Sequence, residues 1–418
     1  MPFTPQDVSL FTYKGSLLIN VTSTLALLPI SNAKISISYT GENTPVLEEL
    51  FTDSSGQSDN ISLPAPNPEL SQFPQEIRPY SEYDISVSAE GYYPLTITGS
   101  QIFAGSNAIQ NIRLTPVEFT ETASDIIIPD HTLYGNFPPK IPEAEIKPVD
   151  ESGEIVLSRV VIPEYIIVHD GVPDDASAPN YYIPYKDYIK NVASCEIYST
   201  WPESTLYANI LCIMSFALNR VYTEWYRNRG YDFTITSSTA YDQKWVYGRT
   251  IYQNIDYLVD NIFANYLSRP GVRQPIFTSF CDGKRVTCSG LSQWGSKYLG
   301  DEGYTPIEII RYYYGNDMFI NTAQFISGVP SSYPGYVLTI GSTGNKVRQM
   351  QEQLNRIARN YPALPTITAD GVFGERTAEA VKTFQKIFSL PQTGEVDYPT
   401  WYEISDIYVG VSQIAEPQ

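Results

Sequence analysis

Apolar and polar positions alternate in short runs through residues 1–117. Leu17, Ile19 and Val21 form one run and Ile35, Ile37 and Tyr39 another, each broken by Gly, Pro or Ser-Asp clusters. A period of two lines up such residues on one face of a strand, so this stretch predicts a β-sandwich. TDSSGQ at 52–57 predicts a hairpin turn, and YDISVSAEGYYPLTI at 83–97 two strands joined at Gly91. Residues 118–160 lose the periodicity in a run of Pro-containing and acidic breaks such as FPPKIPEAEIKPVDESGE. This is a linker or a pro-segment: both a plain spacer and a site of activating proteolysis fit it.

Residues 161–325 read as mostly helical with a β component, opening on the apolar run VVIPEYIIVH. In YKDYIKNVASCE, Tyr188, Val192 and Cys195 fall on one helical face. Thr200, Pro202 and Glu203 predict the start of a second helix through a capping box with proline in the first turn. Its stripe is Leu206, Ile210, Ile213, Ala217 and Val221, and Gly230 is placed to end it. From Tyr336 a small helical module follows. It has stripes at Val347, Met350, Leu354 and Ile357, then at Ala380, Val381, Phe384 and Phe388, and the turn DGVFGERT between them.

A length of 418 residues argues for two or three units, at roughly 150 residues each. The net charge of −19 makes nucleic acid and an anionic membrane face poor partners. With 17% charged and 42% hydrophobic residues, the composition opposes disorder. The 33 Tyr suit cores and sugar-binding grooves alike. The first residues lack the basic and apolar regions of a secretory signal, and no apolar run is long enough to predict a membrane span. Four Cys are too few for a disulfide scaffold, and two His, His131 and His169, offer little for a metal site or a Ser-His triad.

The richest string for chemistry is IPYKDYIKNVASCEIYSTWPESTLYANI, 183–210. Glu196 closes a helix beside Ile197, Tyr198 and Trp201, where apolar walls raise a carboxyl toward the range of a general acid. A solvated helix end is the plainer alternative. Pro184, Tyr188, Val192, Glu196, Trp201 and Pro202 resemble the catalytic segment of the stage II sporulation protein D family of peptidoglycan lytic transglycosylases, in which the Glu is the acid. The string CSGLSQWGSKYLGDEGYTPIEIIRYYYG at 288–315 resembles that family's second motif. The resemblance implies that Ser292 and Gln293 orient the sugar and that Tyr198, Trp201 and Trp294 line the cleft. Many family members carry a His where this chain has Thr287, so no metal and no cofactor is expected. Cys281 and Cys288 are left as a disulfide or as thiols, and Cys195 as a buried structural thiol.

Asp370, Gly371, Gly374, Thr377, Ala380, Val381, Phe384 and Gln385 resemble the pattern of a peptidoglycan-binding three-helix module, most of them building its turn and core. The N-terminal stretch resembles the carboxypeptidase regulatory-like, transthyretin-like sandwich. The whole order resembles the clostridial germination-specific spore cortex-lytic enzymes. This implies a multidomain α+β chain: a sandwich pro-region at 1–117, a Pro-rich segment at 118–160, a mostly helical lytic transglycosylase domain at 161–325 and a peptidoglycan-binding domain at 336–408. It further implies a zymogen made in the mother cell without a Sec signal, lodged at or within the spore cortex, and activated by a subtilisin-like protease to act on cortex glycan strands. A hydrolase pairing Glu196 with Glu224 or Asp242, and a non-catalytic wall-binding factor, are the rival readings.

Overall fold

The computed structural model describes residues 3–25, 27–41, 44–119, 125–147, 159–327 and 333–412. A one-turn helix, α1 (Pro5–Ser9), precedes β1 (Tyr13–Ser23), β2 (Lys34–Tyr39), β3 (Val46–Phe51), β4 (Ile61–Ala65), β5 (Ser81–Ser88), β6 (Leu95–Ile102), β7 (Asn107–Leu114) and β8 (Ile126–Ile127). One sheet places β1 between antiparallel β4 and parallel β7, and the other runs β3-β2-β5-β6-β8. Alternation works as expected: Leu17, Ile19, Val21, Ile35 and Ile37 are fully buried. The Tyr83 hydroxyl crosses between the sheets to the Pro64 carbonyl at 2.6 Å. At Gly15 the backbone approaches so closely that a Cβ would lie 2.2 Å from the Phe103 carbonyl oxygen. The TDSSGQ turn forms around Asp53, but it joins β3 to β4, which belong to different sheets, so it is a crossing and not a hairpin.

The middle of the chain holds α2 (Tyr185–Glu196), α3 (Glu203–Tyr222), α4 (Gln253–Ile262), α5 (Gln293–Asp301) and α6 (Pro306–Tyr314). The run predicted as one strand splits at Pro163 into Val161–Ile162 and Tyr165–His169; the latter pairs with Asn180–Pro184 and Ile235–Thr236. Helix α3 is apolar nearly all round and is buried on every side, as a core helix must be. Its start differs from the expected capping box. The N-cap is Pro202, without a side-chain cap, and Thr200 instead donates to the Ser71 hydroxyl of the sandwich at 2.7 Å. Its end comes at Tyr222, while Gly230, at φ 86°, closes a separate turn at Arg227–Arg229.

Helices α7 (Asn345–Ala358), α8 (Glu375–Ile387) and α9 (Tyr398–Ser412) make the C-terminal module, with Val347, Met350, Leu354, Ile357, Val381 and Phe384 at its centre. Gly371, at φ 80°, turns the chain between α7 and α8 and donates its N–H to Gln351 Oε1 at 2.9 Å. The module is seated firmly on its neighbours. Rings of Tyr398 and Tyr402 pack on Phe263, Glu403 Oε2 lies 2.7 Å from Lys186 Nζ, and the Tyr361 hydroxyl donates to the Leu27 carbonyl at 3.0 Å. Residues 328–332, which precede this module, lie outside the described residues.

The sandwich and the middle helices share structure too. Ile251–Tyr252 adds a short strand beside β7, and Arg249 Nη2 donates to Gln101 Oε1 at 2.6 Å. Among the described residues no helix is long and apolar enough to cross a membrane.

Candidate active site

Helix α2 ends because Ile197 turns to extended backbone, and that leaves Glu196 as its last residue with 6% exposure. Three donors converge on its carboxylate. The Lys244 backbone N–H reaches Oε1 at 2.9 Å, while Gln293 Nε2 and the Thr132 hydroxyl reach Oε2 at 3.2 and 3.3 Å. Gln293 also donates to the Glu196 carbonyl at 2.9 Å, so one amide fixes both ends of the residue. Two strings nearly a hundred residues apart therefore meet through Glu196 and Gln293.

Both residues line a cavity of about 490 Å³. One wall is the segment from Thr132 to Lys140 and the other is the loop between Cys281 and Cys288, which are joined by a disulfide. Arg285 ties the walls together by donating to the Leu133 carbonyl at 2.9 Å. A second carboxylate borders the cavity, Asp282, but its oxygens accept the N–H groups of Lys284, Arg285 and Val286 and hold the loop's own turn. Lys140 Nζ lies 4.6 Å from the Phe216 ring centre and 4.7 Å from that of Phe280, and donates to the Asp242 carbonyl. Burial pushes its ammonium down to about 8 against the attraction of Glu196 and Asp242.

The other expected site residues are placed differently. Tyr198, Trp201 and Trp294 are 2%, 4% and 2% exposed and pack on one another, with Trp201 and Trp294 ring centres 4.9 Å apart. Phe103 of the sandwich and His131 complete this cluster, at 5.2 and 4.6 Å from Tyr198. Trp201 Nε1 donates to the Ser71 carbonyl at 2.9 Å. In this arrangement the three rings are core and offer no face to a sugar: burying such large rings against one another outweighs keeping them at a solvated cleft. Ser292, the hydroxyl expected to orient substrate, caps α5 by accepting the Gly295 N–H at 3.0 Å and so has a structural role. Cys195 is a buried thiol on α2, pushed up to about 11 by its burial.

Thr132, Lys140, Lys244 and Arg285 were not singled out from the sequence, because none sits in a motif and two lie in the stretch read as a linker. His131, in that stretch, is fully buried. Its Nδ1 accepts the Leu133 N–H at 3.2 Å, which leaves Nε2–H to donate to the Ile197 carbonyl at 3.3 Å. Burial holds this imidazole well below its ordinary range, and Arg249 pushes the same way. A larger cavity of about 640 Å³ lies at the junction of the sandwich, α4 and the C-terminal module; Tyr257 is the one titratable side chain among its lining residues.

Residues 343–404 match the model of the peptidoglycan binding domain family. That range holds α7, α8 and the start of α9, and marks the chain as a peptidoglycan-associated protein. No curated protein matches the chain. Among solved structures, a protein from Bacteroides fragilis described as membrane-associated and of unknown function is 19% identical over 26% of this chain and 29% of its own, with a TM-score of 0.15. Catechol 1,2-dioxygenase from Acinetobacter sp. ADP1 is 14% identical over 28% of this chain and 58% of its own, with a TM-score of 0.18. The Acinetobacter radioresistens enzyme of the same name is 18% identical over 28% and 56%, with a TM-score of 0.17. The chain spans less than two thirds of each of these structures.

Proposed function

We propose that the chain is a spore cortex peptidoglycan lytic transglycosylase, made as a zymogen and activated by a protease during germination, with Glu196 as its single acid and base. The observation that carries this reading is the Glu196 carboxylate at a cavity, gripped by Gln293 from the second motif, in a chain with a peptidoglycan-binding domain. One carboxylate suffices for the reaction. Glu196 protonates the glycosidic oxygen, and the same group then takes the proton of the muramyl O6 hydroxyl as that oxygen closes on C1. The product ends in a 1,6-anhydro sugar, and no second carboxylate or positioned water is needed.

The rival acids speak for this economy. Asp242 is fully buried, with Arg220 Nε at 2.7 Å and the Tyr226 hydroxyl at 2.6 Å, and Glu224 pairs with Arg227 away from the cavity. In this reading the sandwich is the transthyretin-like part of a pro-region that ends within 118–160, and residues 161–325 carry the chemistry. The C-terminal module holds the enzyme on cortex peptidoglycan. Mass spectrometry of fragments released from purified cortex by the proteolysed protein tests the reaction. Anhydro ends, lighter by one water than reducing ends, are the expected product, and reducing ends alone would make it a hydrolase.

A further inference from the structure

From Thr132 to Lys147 the segment read as a spacer is held on the middle domain. After Thr132 it passes Lys140 and the Ile141 N–H, which donates to the Ala240 carbonyl at 2.7 Å. Next come two carboxylates. Arg220 Nη1 and Nη2 donate to the two Glu143 oxygens at 2.9 and 2.6 Å, a fork-to-fork pair. Arg269 takes Glu145 in the same two-pronged way, through Nε and through Nη2 at 3.0 Å. Lys147 then pairs back on Glu143 at 2.6 Å.

Each arginine keeps partners of its own when this segment is set aside. Arg220 holds Asp242 and the Tyr241 carbonyl, and Arg269 holds Asp317 and the Tyr314 carbonyl at 2.6 Å. Both would therefore stay in place with a vacant fork pointing at the path of the segment. That path begins at the catalytic carboxylate, because Thr132 touches Glu196 itself.

Resting on the reading of Glu196 as the acid, we infer that residues 132–147 lie where the glycan strand will lie, with Glu143 and Glu145 standing in for carboxylates of the peptidoglycan. Arg220 and Arg269 are then the residues that grip those carboxylates once the segment leaves. Peptidoglycan offers such groups on its stem peptides and on lactyl ethers that carry no stem peptide, whereas a neutral chitin-like strand does not. The segment is continuous with β8 and the sandwich, so only a cut on the far side of Lys147 separates it from the catalytic helices.

The test uses the full chain with a site-specific protease sequence exchanged for residues 150–156, measured uncut and cut on peptidoglycan and on peptidoglycan whose carboxylates have been amidated. The uncut Glu143→Gln/Glu145→Gln chain should release at least about tenfold more fragments than the uncut parent, since removing one side of a buried charge pair is worth that much. The cut Arg269→Gln chain should show KM raised about tenfold on native peptidoglycan with kcat little changed, and no such rise on the amidated polymer. An active cut parent with a silent uncut double variant, or an unchanged KM for Arg269→Gln, would overturn the inference. Equal release by the cut parent and its Glu196→Gln variant would instead remove the reading on which it rests.

Discussion

Thr132 Oγ1 lies 2.7 Å from the Cys195 carbonyl oxygen and 3.3 Å from Glu196 Oε2, so one hydroxyl outside the middle helices sits on both the last turn of α2 and the carboxylate that ends it. A hydroxyl has one proton, so the shorter contact goes to the Cys195 carbonyl and Oε2 shares it at longer range. In the proposed reaction, departure of Thr132 would free Oε2 of Glu196 for the substrate.

His131, next to Thr132, makes the docking of this segment sensitive to acid. Its folded-state pKa lies below the ordinary 6.5, so as pH falls through that value the unfolded state takes up a proton that the folded state refuses. Thermal stability should drop on going from pH 7.5 to pH 5, and His131→Gln should lessen that drop. A parent and variant with the same pH slope in calorimetry would contradict the assignment of a neutral, buried imidazole.

A charge network behind the site carries the opposite sign. Lys190 Nζ lies 2.7 Å from Asp256 and 2.9 Å from Asp260, and Lys186 reaches Asp260, Glu403 and Asp406, two cations for four carboxylates. Burial pushes the Asp256 carboxyl up to about 6 against the pull of Lys190. This group adds stability that is full below the unfolded value of 3.8 and is lost as pH rises through about 6. Measured by circular dichroism, the melting temperature of Asp256→Asn should therefore rise relative to the parent's as pH goes from 5 to 7.5.

Lys186 joins α2 to α9 across the seat of the C-terminal module. Lys186→Ala takes from Glu403, whose side chain is 15% exposed, and from Asp406 the cation they share, while Asp260 keeps Lys190. Breaking one side of such a buried pair costs about 3–5 kcal/mol, which urea unfolding would read directly. A loss within about 0.5 kcal/mol, as at an ordinary surface site, would mean that the network adds nothing to the seating.

How much was legible in the sequence follows from the range over which each signal acts. Period-two runs such as Leu17, Ile19 and Val21, and the stripe Val347, Met350 and Leu354, are local, and the elements formed where they predicted. Helix ends were less so: Thr200 found a partner in Ser71 of another domain, and tertiary contact displaced its capping role. At the site, Glu196 and Gln293 come together, but the rings of Tyr198, Trp201 and Trp294 turned inward onto Phe103 and His131, partners no local pattern names. The segment from Thr132 to Lys147 shows best what a pattern misses. Prolines and charges spell a loop, yet Glu143 and Glu145 find arginines far along the chain.

The disulfide between Cys281 and Cys288 closes the loop that walls the cavity. A bridge over so short a loop stabilises by about 2 kcal/mol, chiefly through the unfolded chain. Cys281→Ser/Cys288→Ser should lower the melting temperature by about 2 °C, and dithiothreitol should do the same to the parent and nothing to the variant. Equal response of both proteins to dithiothreitol would show that the bridge is not the source.

The central claim is that Glu196 alone supplies the acid and the base. It is tested most directly by comparing fragment release from purified cortex peptidoglycan by the proteolysed parent and its Glu196→Gln variant, both with matched melting curves. Loss of general acid–base assistance predicts a fall of about a hundredfold to ten-thousandfold in rate, with no anhydro-ended products above background. Release of anhydro-ended fragments by the variant at a rate near the parent's would contradict the account.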